Sequence, residues 1–244
     1  MRMSRSLVVV AVAVGIVSSI SVGGAAQGTA TPDQMVAALK KNLQDSQARL
    51  RQYEWVETTA ISLKGEEKSR KQQRVYYGAD GKLTKIPMGE PPAQAAPSGG
   101  GGRGGGRLKK KIVENKKDEM QDYMERAAAL IHKYVPPSPE QIQKAKDGGN
   151  MQLRAPQQGR VRVEFPNFVQ PSDLMAIDVD AAAMNLSAIT VATYLDKKED
   201  AVTLDVRFGT LTDGTSFTAR TALDAKAKNI RVVIDNSGHR PMAK

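Results

Sequence analysis

The chain has 244 residues, with 36 Lys and Arg against 26 Asp and Glu, a formal net charge of +10, no Cys and two His. Without cysteine it has no disulfides, thiolate zinc sites or thiol nucleophiles, and the two histidines, His132 and His239, are too few for a His-rich metal cluster. A chain of this length supports one sizeable core and does not by itself require two.

Residues 1–26 have the three-part layout of a secretory leader. Arg2 and Arg5 come first, the apolar run Leu7–Ile20 follows, and Gly24 and Ala26 stand at −3 and −1 of a cleavage point before Gln27. The apolar run is shorter than the roughly 20 residues of a spanning helix, and no Cys follows it to accept a lipid. The expectation is a periplasmic or secreted protein, cleaved after Ala26, whose residues 27–244 form a single domain.

Thr31-Pro32-Asp33-Gln34 opens a helix with a cap, an early Pro and a capping box. Met35, Val36, Leu39, Leu43 and Leu50 recur at helical spacing, so one face of this helix packs on a core through about Arg51. From Tyr53 to Leu63 the period falls to two: Tyr53, Trp55, Thr59, Ile61 and Leu63 share a face that Glu57 interrupts. Turns at Gly65 and at Gly78-Ala79-Asp80-Gly81 then give strands over Lys68–Tyr77 and Lys82–Ile86, a three-stranded meander. The second strand offers no apolar side chain from Lys68 to Arg74 and reads as a solvated edge protected by charge.

Pro91 to Arg107 is a Pro- and Gly-rich stretch that cannot offset its ordering entropy by burial, so a flexible loop is expected inside the domain. It has no P-loop pattern, and export argues against a nucleic-acid role for its Arg-Gly-Gly spacing. Leu108 to Tyr134 is a long amphipathic helix. At about 100° per residue, Met120, Tyr123, Met124, Ala127, Leu130, Ile131 and Tyr134 fall on one arc with no charge at its centre, whereas Lys109 and Lys116 interrupt the same arc earlier. The second half is therefore expected to dock as an apolar lid, and the first half to be basic, burying only Lys stems. His132 falls on the opposite, solvated side. Pro136-Pro137 ends this helix, and Ser138-Pro139-Glu140-Gln141 starts a short one that stops at Gly148-Gly149.

The remainder reads as strands: Asn150–Arg154, Arg160–Phe165, Leu174–Val179, Leu186–Leu195, Val202–Leu211, Ser216–Leu223 and Ile230–Ile234. Alternation such as Val202-Thr203-Leu204-Asp205-Val206 means one buried and one wet face, hence an antiparallel sheet. The expected fold is α+β: a curved antiparallel sheet, an open half-barrel, with an N-terminal helix and a helical insertion on one face.

No motif carries catalysis. Asp178 and Asp180 begin like a calcium loop, but Ala183 stands where Gly is needed and Ile189 where the bidentate Glu belongs. No nucleophile elbow supports a Ser-His-Asp triad. A non-enzymatic binding protein is expected, with no catalytic residue, cofactor, metal or nucleic-acid partner.

The charge is localised. Residues 64–118 hold fourteen bases and six acids, +8, while 27–63 hold four of each, 119–244 sixteen of each, and the leader two Arg. Such a window predicts contact with an anionic membrane surface, an envelope polymer or an acidic protein. Arg103, Arg107, Lys109, Lys110, Lys111, Lys116 and Lys117 are its candidate contacts. In this reading the protein is a structural or interaction module and the sheet a packed core.

The order helix, meander, helical insertion, antiparallel strands resembles the periplasmic lipoprotein-carrier fold (LolA-like), shared by lipoprotein-sensing regulators of the RseB type. The residues that carry the likeness are Gln52-Tyr53-Glu54-Trp55-Val56-Glu57, Tyr76-Tyr77-Gly78-Ala79-Asp80-Gly81-Lys82 and Leu211-Thr212-Asp213-Gly214-Thr215. The resemblance implies a carrier or sensor for a hydrophobic or acylated ligand, held on the concave apolar face. Met120, Tyr123, Met124, Ala127, Leu130, Ile131, Tyr134 and Trp55 are its candidate contacts. The Gly-rich leash departs from the usual carrier of that family.

Overall fold

In the computed structural model the described residues are 32–89 and 106–242. The expected leader, the cap at Thr31 and the Pro- and Gly-rich stretch through Gly105 lie outside them. The chain runs α1 (Pro32–Leu50), β1 (Tyr53–Leu63), β2 (Glu66–Tyr77), β3 (Leu83–Met88), α2 (Gly106–Ile131), α3 (Pro139–Asp147), β4 (Gln152–Gln157), β5 (Arg160–Pro166), β6 (Leu174–Asp180), β7 (Asn185–Tyr194), β8 (Ala201–Thr210), β9 (Ser216–Ala225) and β10 (Ile230–Pro241). The strands form one curved antiparallel sheet in the order β3-β2-β1-β10-β9-β8-β7-β6-β5-β4. The fold is α+β, an open half-barrel.

Each hairpin is set by local turn chemistry. Lys64-Gly65 (φ 54° and 84°) and Gln158-Gly159 (φ 51° and 74°) are two-residue turns in the left-handed region, whose twist matches that of the strands they join. β10 closes the meander by pairing with β1 as well as β9, from Tyr53 opposite Pro241 to Leu63 opposite Ile230. It runs past the expected end at Ile234, because β1 offers a ladder to the polar residues Asp235–Arg240 that their composition does not announce.

Opposed residues in an antiparallel ladder share a face, so the register sorts the sheet. The inner face carries Phe165, Met175, Ile177, Ile189, Val191, Val202, Leu204 and Val206, which pack with Leu39 of α1, with Ala127, Leu130 and Ile131 of α2, with Tyr134 and Val135 after it, and with Ile142 and Ala145 of α3. Ser138 caps α3 by accepting from Gln141 N, and Gly148 closes its C-terminus. The helical segments thus cover one face.

The outer face is wet and laced with ion pairs: Arg162 with Asp178, Arg207 with Asp205, Arg220 with Asp235, Arg231 with Asp224 and Arg240 with Glu54. Beneath them Ala176, Ala188, Ala222 and Val233 are buried. The long Arg stems cover small apolar residues there while their heads stay in water.

Candidate functional site: the open part of the inner face

The helices cover the inner face unevenly. Over β5 to β8 its residues are buried: Met175 and Ile189 are 0 % exposed and Val191 is 2 % exposed. Across β9, β10 and β1 the same face continues, with one apolar row and one mixed row, but it is no longer sealed. Leu223, Val232 and Ile234 are half-buried, as are Thr221 and Thr59, and Ile61 is 38 % exposed. Ile61 stands opposite Val232, which stands opposite Leu223, so the three make one row across three strands. Thr59, Ile234 and Thr221 make the next. Three strands at about 4.8 Å spacing give a strip about 10 Å wide.

One end of the strip meets α2. Tyr123, Ala225 and Ile230 form a small buried cluster against which Leu63, Met120, Met124 and Val232 pack. The Tyr123 hydroxyl donates to Asp200 at 2.5 Å, and burial together with that carboxylate pushes its pKa up. Arg126 pairs with Asp196 in the same β7–β8 turn. At the end of α2 the Tyr134 hydroxyl, fully buried, donates to Asp173 at 2.6 Å and lies 2.7 Å from the Thr193 hydroxyl. Asp173 also accepts from the backbone N–H groups of Phe168, Val169 and Gln170. The second half of α2 is therefore a fixed wall, tied at both ends.

The other end is polar and aromatic. Glu57, 4 % exposed, accepts Lys85 Nζ at 2.6 and 2.7 Å. Beside it Trp55 donates through Nε1 to Asn236 Oδ1 at 3.1 Å and stacks on His239, with ring centroids 5.6 Å apart. Phe217 lies 4.0 Å from His239 and Tyr77 6.0 Å from Trp55. His239 reaches this position through a bulge. One residue of β1 separates Glu54 from Val56, while two residues of β10, Gly238 and His239, separate their partners Arg240 and Ser237. Burial lowers the His239 pKa to about 4.

The eight residues expected to contact a hydrophobic ligand are thus divided. Ala127, Leu130, Ile131 and Tyr134 pack in the main core, Tyr123 with Met120 and Met124 form the wall of the strip, and Trp55 stands at its far end. Sequence reading missed Lys85, His239 and Phe217 as its neighbours; the one signal was Glu57 interrupting an apolar face. It placed Leu223, Val232 and Ile234 on strands without assigning them a role. Arg103 lies outside the described residues. Arg107, Lys109, Lys110, Lys111, Lys116 and Lys117 stand on the first half of α2, whose side chains are also outside them.

Two acidic positions have structural uses. Asp178 pairs with Arg162 at 2.8 Å, and Asp180 accepts the N–H groups of Ala182 and Ala183 to close the β6–β7 turn. Among the described residues no His, Asp and Glu cluster could hold a metal ion, and no helix is long and apolar enough to cross a membrane.

Two solved structures are similar to the chain. One is a DUF1329 family protein from Desulfovibrio piger, 13 % identical over 85 % of this chain and 92 % of that one, with a TM-score of 0.36. The other is a LolA superfamily protein from Nitrosomonas europaea, 9 % identical over 82 % of this chain and 94 % of that one, with a TM-score of 0.32. No protein-family model and no curated protein matches the sequence.

Proposed function

We propose that this is an exported, non-enzymatic binding protein, cleaved after Ala26, whose single α+β domain holds a hydrophobic or acylated ligand on the open part of its inner face. The observation that carries the reading is the unsealed strip Leu223–Val232–Ile61 beside a fully packed core on the same face. Water against such a row is unfavourable, and an alkyl chain laid on it gains about 0.8 kcal/mol per buried methylene before ordering costs. Met120, Tyr123 and Met124 wall one end and Trp55 the other. Ala127, Leu130, Ile131 and Tyr134 hold that wall in place. The test is mass spectrometry of lipid extracted from natively purified protein, compared with Ile61→Glu. Acyl lipid should be present in the parent and absent from the variant; repeated absence from the parent would sink the proposal.

A second reading, docking to an anionic membrane surface or envelope polymer, is favoured by where the charge is unbalanced. Of the seven bases in residues 64–89, Lys68, Arg70, Arg74, Lys82 and Lys85 pair with Glu66, Glu67, Glu54, Asp80 and Glu57. Residues 103–117 instead hold seven bases against the single acid Glu114. Binding to anionic vesicles should weaken steeply with salt and fall when Lys109, Lys110 and Lys111 are neutralised together; unchanged binding removes this reading.

A further inference from the structure

The register threads two neighbouring rows along the inner face from β5 to β2. One runs from Phe165 through Leu204, Leu223, Val232 and Ile61 to Ser69. The other runs from Val163 through Val206, Thr221, Ile234 and Thr59 to Lys71. The first row has two unlike ends. At β8 it is shut, because Leu204 and Val191 beyond it are buried. At β2 it is open: Ser69 is half-buried and Lys71 exposed. No described strand continues either row, since β3 reaches only to Gln72, opposite Met88. A chain lying on the first row therefore has its tail against Leu204 and its head at the sheet edge. From Leu223 to Ser69 is three strand spacings, about 14 Å.

The row is one chain wide. Met120, Tyr123 and Met124 of α2 wall one side. On the other side the second row turns to hydroxyls, at Thr221 and Thr59, once it passes Val206. Rows on one face are about 7 Å apart, so a second alkyl chain would have to lie on those hydroxyls.

Charge sets what the head must be. At the open end Glu66 pairs with Lys68, and farther down the same face Glu57 pairs with Lys85. Lys71 has no ion pair among the described residues. It follows Ser69 by two residues on the same face, about 7 Å away, and its stem is long enough to carry the ammonium over the end of the row. One uncompensated cation beside one hydroxyl matches a single carboxylate; the second charge of a phosphate monoester would have no partner there. Resting on the ligand-binding reading proposed above, we infer that the ligand is a single-chain fatty acid. Its alkyl chain lies on Leu223–Val232–Ile61 and its carboxylate at Ser69 and Lys71.

The test is calorimetric titration of the exported protein, freed of co-purified lipid, at low salt. The probes are laurate, dodecanol, dodecyl phosphate and dodecyltrimethylammonium, of matched tail length and below their micellar concentrations. Laurate should bind about fivefold more tightly than dodecanol, and the cation least. Lys71→Met should erase the advantage of laurate and leave dodecanol binding unchanged, while Lys71→Glu should put the cation ahead of laurate. Lys64→Met removes the other base of residues 64–89 that stands outside an ion pair and should leave the order of the probes as it was. If none of the four binds the parent, the ligand-binding reading fails and the fatty-acid assignment fails with it. If alkyl probes bind but dodecanol equals laurate, the assignment alone is overturned. The same holds if dodecyl phosphate binds ahead of laurate, if Lys71→Met leaves the order intact, or if Lys64→Met abolishes it.

Discussion

The two parts of the inner face are built from the same kind of residue and differ in what lies over them. From β5 to β8, valine, isoleucine and methionine are sealed by three helices, and the polar groups that must enter, Asp173 and Thr193, are met by Tyr134 and by backbone N–H groups. From β9 to β1 one row, Leu223–Val232–Ile61, stays apolar and half-open, the next mixes Ile234 with Thr59 and Thr221, and the face ends on an ion pair and a stack of aromatic rings. A face that serves only as core would be covered throughout or would turn polar where cover stops. Here one fully apolar row, Leu223–Val232–Ile61, continues after the cover ends. That contrast supports ligand binding, and it can be attacked from either side.

The largest effect is expected in the sealed part. Asp173→Ala removes the acceptor of three backbone N–H groups and of the Tyr134 hydroxyl in a site that is 3 % exposed. Leaving several buried donors without partners should cost about 3–5 kcal/mol, read as a shift in the urea midpoint at constant slope. A loss below about 1 kcal/mol would mean that α2 is not anchored as a wall and opens readily.

A smaller effect is expected at the open end. Lys85→Met strands the carboxylate of Glu57 in a site where its side chain is 5 % exposed, and should cost about 3 kcal/mol. Replacing both, Glu57→Leu with Lys85→Met, should return most of that stability, because paired burial of charge is itself costly. If the double variant also keeps its bound lipid, the ion pair has no part in ligand recognition. If the lipid is lost while stability is regained, the pair selects the ligand.

Much of this architecture was legible in the sequence, for physical reasons. Alternation marks a sheet with one wet face, and Val202–Phe208 is as clear in the structure as in the pattern. Gly-containing turns marked four of the hairpins, at Gly65, Gly78–Gly81, Gly159 and Gly214, and Ser138 capped the helix it announced. The α2 arc showed which residues face the sheet. What could not be read is relational. That β10 returns to pair with β1 is a long-range contact no local pattern encodes, and it brings His239 and Phe217 to Trp55. How far three helices cover a ten-stranded face depends on their placement, so the open strip was invisible although each of its residues had been assigned to a strand. The charged run of β2 read as an edge; half of it is, because β3 is short.

The smallest effect is at the aromatic end, and its direction is fixed by the proton balance. Burial lowers the His239 pKa from 6.5 to about 4. Between those values the unfolded chain binds a proton that the folded chain refuses, so stability rises with pH across this window and falls as pH drops through it. Above pH 6.5 the group is neutral in both states and contributes no slope. Urea midpoints should therefore decline from about pH 7 toward about pH 4.5, and His239→Gln should flatten that part of the profile. Trp55, the one tryptophan of the chain, stacks on this ring and gives a second readout: the emission of the folded protein should titrate at the folded-state value, about 4, at the lower end of this window, and lose that titration in the variant. An emission titration centred at or above pH 6.5, the ordinary value for the group, would mean that the ring is in water, and that the open end of the strip is wider than the stack of Trp55, His239 and Phe217 makes it.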